Sequence, residues 1–387
     1  MDELREALER TIRDQGRDHE DVAYALDELA REHQSRGEHG AALPLLERAV
    51  AILDGALGTG HPDAANLRTH LAELHLACGR AAAAEALALE ALDALRQVLG
   101  LDPGEGEPPA LDAETRRLVQ LIHRESLGLV SAALRAQGRY REALPPCREA
   151  LRIAEELFDP GDPELAVSLN ALGVLHKYRG ELGEAGSLYR RARSILERAP
   201  GPQELPLAAV LYNLAGLEHA RGEFARAEPP CRRALALRER ALGPAHPEVA
   251  VNRMTLAAIL DGMERYGESE PLYQSALRTF EAAFGPSHPD VALALNNLAE
   301  VRRAQGDPES AEELHRRALA LRERLLGPSH PDVAASLNNL ALLCSDSGRP
   351  AEALPLLQRA AEIVEERLEP GHAARRAVLE NLRSVEA

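Results

Sequence analysis

Two series of polar side chains recur in this sequence at fixed phase. His246-Pro247, His288-Pro289 and His330-Pro331 follow one another at 42 residues, His372 continues the series, and Asp162-Pro163 holds the same phase two periods before His246. Eight or nine residues further on stand Asn170, Tyr212 with Asn213, Asn296 with Asn297, and Asn338 with Asn339. Imidazoles are the usual ligands of zinc, but units stacked about 10 Å apart hold successive histidines too far apart to share an ion with bonds near ~2 Å. No metal or other cofactor is therefore expected, and His before Pro reads as a helix cap, with the proline at the first helical position where no amide hydrogen is needed. The amides each offer a donor and an acceptor, so a row of them can hydrogen-bond an extended backbone without demanding a sequence; the same row can instead tie adjacent helices together.

The elements that must position these residues follow from the period. With the His position as the frame residue, frames begin at 162, 204, 246, 288, 330 and 372, and His19 and His61 form an earlier pair. Between the two sets the frame slips by 17 residues within LGLDPGEGEPPALDAE, a turn-favouring stretch, so the third unit, framed on Gln120, carries an insertion. Eighteen residues after each frame residue comes a glycine (Gly37, Gly79, Gly138, Gly180, Gly222, Gly306, Gly348), with Glu264 the one departure. Each unit therefore reads as front helix, tight turn, back helix. Front helices carry an apolar stripe, as in Leu295, Leu298 and Val301. Back helices repeat small residues: the position 23 after the frame residue is Ala or Ser, and the position 30 after it is Ala in all eight units, from Ala49 to Ala360. Pro44, Pro145, Pro229, Pro271 and Pro355 share one phase of the back helix, which predicts a tolerated first-turn position or a shared bend.

A 42-residue unit cannot bury its own apolar face, so one continuous seam along a single solenoid is expected over 1–387. Its parts are a capping helix over 1–17, repeats one and two over 18–99, the insertion and repeat three over 100–158, repeats four to eight over 159–369, and a second capping helix over 370–387. No strand is expected. Lys and Arg number 45 against 62 Asp and Glu, a net charge of −17 that disfavours nucleic acid and anionic lipid as partners. Every lysine or arginine except Lys177 is Arg, and with abundant Ala and Leu this usage predicts a GC-rich bacterial source. MDELREALER is charged throughout, so neither a signal peptide nor a membrane span is expected, and the expected location is cytoplasmic.

Cys147 and Cys231 share a phase two units apart, roughly 20 Å by the stacking distance, beyond the reach of a disulfide. With Cys78 and Cys344 they read as buried core thiols. Phosphate loops, Cys-x-x-Cys, His-Glu-x-x-His and recognisable nucleophile contexts are all lacking, and no catalysis is expected. Arg238, Glu239 and Arg240 read as the solvated face of an amphipathic helix.

The strings GPSHPDVALALNNLAEVRRAQGDPESAEELHRRALALRERLLG and GPSHPDVAASLNNLALLCSDSGRPAEALPLLQRAAEIVEERLE resemble tetratricopeptide repeats of the kinesin-light-chain type. The resemblance spans nearly the whole chain. It implies an all-α, right-handed superhelix (α-solenoid) of about eight helix pairs, whose concave face, lined by front helices, binds extended peptides or short linear motifs. No heptad region precedes the repeats, so a motor-adaptor role is not implied; units one to three lack the Leu-Asn motif, and unit six has Arg253-Met254-Thr255-Leu256 in its place. On this resemblance Asn170, Tyr212, Asn213, Asn296, Asn297, Asn338 and Asn339 face the groove. Lys177, Tyr178, His219 and Arg303, further along the same face, would select acidic side chains, with Glu300 and Asp346 opposing them. Tyr24, Asn66 and Arg135 share the phase but read equally as solvated surface.

The leading expectation is a protein-interaction module that holds a protein or peptide ligand in this groove. A self-assembling scaffold is the alternative, as is a regulatory sensor in which the insertion over 100–116 covers the groove.

Overall fold

A computed structural model of the chain describes residues 1–101 and 110–386; most of the insertion expected to act as a groove lid, including Pro103 to Pro109, lies outside them. Among the described residues there are 18 helices and no strand. They form two compact units, residues 1–203 and 204–387.

The first unit begins with a lone helix, α1 (Asp2–Gln15). Four hairpins follow: α2 (Glu20–Ser35) with α3 (His39–Leu57), α4 (Pro62–Ala77) with α5 (Ala81–Leu99), α6 (Ala113–Ala136) with α7 (Tyr140–Leu157), and α8 (Pro163–Tyr178) with α9 (Leu182–Arg198). The second unit has the hairpins α10 (Glu204–Ala220) with α11 (Phe224–Leu242), α12 (Pro247–Asp261) with α13 (Tyr266–Phe284), α14 (Pro289–Ala304) with α15 (Pro308–Leu326), and α16 (Pro331–Asp346) with α17 (Pro350–Arg367), closed by a lone α18 (Ala373–Glu386). Part of the inserted length is helical, since α6 starts seven residues ahead of its frame residue and runs for 24 residues. No described helix is long and apolar enough to cross a membrane.

Helix starts obey the capping logic. Nδ1 of His19, His61, His246, His288 and His330 accepts the amide hydrogen two residues on at 3.1–3.3 Å, and Asp162 Oδ1 does the same for Glu164 at 2.9 Å. An acceptor Nδ1 puts the neutral imidazole's proton on Nε2. The turn glycines close the hairpins in the left-handed region, Gly37 at φ 74° and Gly306 at φ 82°, and Glu264 adopts the same conformation at φ 57°. The prolines do not sit in the first turn. Each is the sixth residue of its back helix, as Pro44 is in α3 and Pro271 in α13, where it removes one i to i−4 hydrogen bond.

The core is set by the small residues. All eight residues at position 23, from Ala42 to Ala353 with Ser269 among them, are fully buried, and so are seven of the eight alanines at position 30, Ala150 being 6% exposed. With nothing larger than the hydroxyl of Ser269 beyond Cβ, these positions let back helices approach front helices of their own and the next hairpin. One cluster accordingly runs through α4, α5, α6, α7 and α8, and another through α12, α13, α14 and α15. Where a large side chain enters, its neighbour shrinks: a Cβ on Gly173 would lie 2.6 Å from the buried ring of Tyr189.

Ion pairs reinforce the stacking at one recurring place. The residue after the turn position is Arg in units two, three, six and eight, and in the last three it bridges a glutamate of its own back helix and one of the preceding back helix. Arg139 reaches Glu85 at 2.8 Å and Glu142 at 2.6 Å; Arg265 reaches Glu228 and Glu268, both at 2.7 Å; Arg349 reaches Glu312 at 2.6 Å and Glu352 at 3.2 Å. In units one and four Glu38 and Glu181 stand there instead, each 2.5 Å from a buried histidine, His33 or His176. Exposed pairs of this kind contribute at most about 1 kcal/mol each.

Two outcomes follow. Ala276→Leu must overpack a site with no exposure and should destabilise by about 1–3 kcal/mol in urea unfolding, whereas Ala320→Leu, at an exposed site, should change stability by less than about 0.5 kcal/mol. The arginines beside Glu142 and Glu312 hold both carboxyls below the usual range. Their contribution is present above the ordinary carboxylate pKa and is lost as pH falls through the depressed values. The melting temperature should therefore drop on acidification, and less steeply in an Arg139→Gln/Arg349→Gln variant.

Candidate ligand-binding wall

The front helices present one face on which positions 5, 8, 9, 12, 15 and 16 after the frame residue recur. Half-buried amides occupy its middle. In the second unit, position 8 of one front helix meets position 9 of the next: Asn339 Nδ2 donates to Asn296 Oδ1 at 3.1 Å, Asn381 Nδ2 donates to Asn338 Oδ1 at 2.8 Å, and Thr255 Oγ1 donates to Tyr212 Oη at 3.2 Å. The amides thus tie adjacent front helices, the second of the two roles that their chemistry allows. Each of the two amide–amide bonds uses one donor of one amide and one acceptor site of its partner, leaving hydrogen-bonding capacity on both. Asn297 makes no side-chain hydrogen bond among the described residues. The position 8 residue of the preceding helix is Met254, which packs into the core and offers no amide. Asn170 and Asn213 are both engaged by neighbours.

The charged and aromatic residues further along the face are also occupied to different degrees. Arg303 Nε lies 3.1 Å from Glu300 and its Nη1 3.2 Å from Asp346 of the next front helix, so the opposing carboxylates neutralise it. Burial pushes the Glu300 carboxyl up, but His315, with Nε2 at 3.2 Å, and Arg303 draw it below its ordinary range. Tyr178 stacks on Tyr140 with ring centroids 5.2 Å apart, and the Arg135 guanidinium lies 5.8 Å from the Tyr178 centroid. His219 meets Phe224 edge to face at 5.3 Å. Lys177 has no ion-pair partner among the described residues, and partial burial draws its ammonium below the usual lysine value. Tyr24 donates to Asp63 at 2.7 Å while remaining 43% exposed. The residues expected to select acidic groups are therefore not equivalent: Arg303 is already paired and Lys177 is not.

Two placements differ from the sequence reading. Cys78 is exposed, because it caps the end of α4 beside the turn, while Cys147, Cys231 and Cys344 are buried. Burial pushes the Cys147 thiol up to about 11 and the Cys231 thiol up to about 12, the reverse of what a nucleophile needs. Arg238 is not solvated: its guanidinium lies 4.9 Å from the Tyr212 ring centroid and donates to Asn252 Oδ1 at 3.2 Å. Arg322, one unit-pair later at the same phase, donates to Ser336 at 2.6 Å. Ligand atoms of Glu312, Cys344 and Glu352 lie within 4.8 Å of one another, but Arg349 already pairs with both glutamates.

Sequence reasoning passed over a cavity of about 550 Å3 in the first unit, formed by α2, α4, α6 and α8 with Cys147 and Ala150 of α7 behind them. It owes its shape to the third unit. Position 4 is a fully buried alanine in the other seven front helices (Ala23, Ala65, Ala166, Ala208, Ala250, Ala292, Ala334), and here it is Arg124, 8% exposed. Position 8, an amide or larger residue in most units, is Gly128. The signal was legible as a break in the alanine period.

Family models described as tetratricopeptide repeat match residues 124–202, 206–282, 253–324 and 290–366, and others of the same description match 22–63 and 65–104. The chain belongs to the tetratricopeptide-repeat family. Among solved structures it is similar to BtubC (BKLC) from P. vanneervenii, at 26% identity over 61% of this chain and 94% of that one, with a TM-score of 0.50. It is also similar to a Rap protein complexed with Competence and Sporulation Factor, at 14% identity over 84% of this chain and 88% of that one, TM-score 0.52. A Podosopora anserina protein assigned as a kinesin light chain with nearly identical TPR-like repeats matches at 22% identity over 53% of this chain and 96% of that one, TM-score 0.48. No curated protein matches the chain.

The amide contacts predict measurable coupling. In a double-mutant cycle, Asn296→Ala and Asn339→Ala should couple by about 0.5–1.5 kcal/mol. Asn297→Ala paired with Asn339→Ala should give a coupling near zero.

Proposed function

We propose that this chain is a protein-interaction module that holds an extended peptide against its front-helix wall, reading the backbone through the amides at positions 8 and 9. The row of half-buried amides carries this reading. The bonds of Asn296 with Asn339 and of Asn338 with Asn381 fix those side chains in one orientation, so the donors and acceptors left over on them are pre-ordered and lose little entropy when a ligand arrives. The family's general role as an interaction module supports it, as does the solved Rap protein, which is complexed with another factor. In residues 204–387, Tyr212, Asn213, Asn296, Asn297, Asn338 and Asn339 would contact the backbone and His219 and Arg303 the side chains; in residues 1–203, Asn170 would play the first part and Lys177 and Tyr178 the second.

Asn297 gives the cleanest test, because it holds nothing in place. Peptides selected from a random display library on the wild-type chain should bind Asn297→Ala about tenfold more weakly, with the urea midpoint unchanged. Equal affinity for both chains, or no selected peptide at all, would overturn the proposal.

A further inference from the structure

The cavity beside Gly128 stands apart from the amide row. A helix-interior glycine is less stable than alanine, and crowding does not require one here, since a Cβ on Gly128 would meet no atom within 4 Å. The missing side chain leaves space. Leu129, Ala150, Val167 and Ala171 give that space apolar walls.

Its polar groups have an uneven balance. Arg124 Nη2 lies 3.0 Å from Glu164 and 3.5 Å from Glu125, yet its buried Nε has no hydrogen-bond partner. A buried N–H donor without an acceptor is costly. At the mouth, Arg31 is held by Asp27 at 3.0 Å. Glu73 is exposed and has no cationic partner among the described residues. The two arginines of the lining are thus held by carboxylates just outside it, Arg31 by Asp27, which also lies 2.9 Å from His70 Nδ1, and Arg124 by Glu164, so that of the two lining carboxylates Glu73 has no cationic partner among the described residues and Glu125 only the 3.5 Å approach of Arg124.

We infer that this cavity takes a basic side chain, lysine or arginine, of a bound peptide: the aliphatic stem lies beside Gly128 and the cation reaches Glu73 and Glu125. A long basic side chain suits such a site, because its methylene stem buries against apolar surface while the charged end stays at a polar rim. The inference rests on the peptide-binding reading for its macromolecular source. A free aliphatic diamine has the same chemistry without a peptide.

The test uses the full chain with a random nine-residue display library, and cadaverine as the free amine. Wild-type selections should enrich Lys or Arg at one position. Selected peptides should bind Gly128→Leu, which fills the cavity, and Glu73→Gln/Glu125→Gln at least tenfold more weakly. Peptides selected without a basic preference, or binding that survives Gly128→Leu, would overturn the inference and leave the groove reading intact. Binding of cadaverine that Gly128→Leu abolishes, with no peptide selected, would support the cavity's chemistry and reject the peptide. No binding of either probe would overturn both.

Discussion

The close approach of helices at two alanine positions per back helix governs everything else in this protein. A side chain of one carbon at positions 23 and 30 leaves nothing to hold neighbouring helices apart, and nearly every such residue is sealed from solvent. Interiors packed this densely do not deform continuously. The spacing of successive front helices is therefore fixed, and with it the reach of every polar side chain on their shared face.

That fixed spacing explains why the same offset of 43 residues appears in Asn296–Asn339, Asn338–Asn381, Tyr212–Thr255 and Arg303–Asp346. Side chains at adjacent positions of consecutive front helices meet because the backbone beneath them repeats. The wall is thus a partly self-satisfied surface. Paired amides and ion pairs are held in one arrangement, and the residues that break the pairing, Asn297 and Lys177, are those with chemistry to spare.

The third unit departs from the rule in a coherent way. Arg124 replaces a buried alanine, Gly128 replaces a longer side chain, and α6 is lengthened ahead of its frame. Each change taken alone would weaken a repeat. Taken together they open a lined cavity in a unit that otherwise packs as its neighbours do, which is where local rules are broken when a surface has work other than stacking.

Period, hairpin units, histidine caps, left-handed turns and the alanine seam were all legible in the sequence, because each depends on residues within one repeat and was copied with it. The sequence could not show that Asn339 bonds Asn296, that Arg303 is neutralised by Asp346, that Arg238 lies over Tyr212, or that Cys78 is exposed at a helix end. Nor could composition tell that the back-helix prolines sit one turn deeper than a proline is usually tolerated. Such facts depend on which side chains of different repeats come within about 3 Å, a distance set by helix packing. One repeat's sequence thus determined the local backbone, and the stacking of repeats decided which polar groups were consumed by the fold and which were left facing outward.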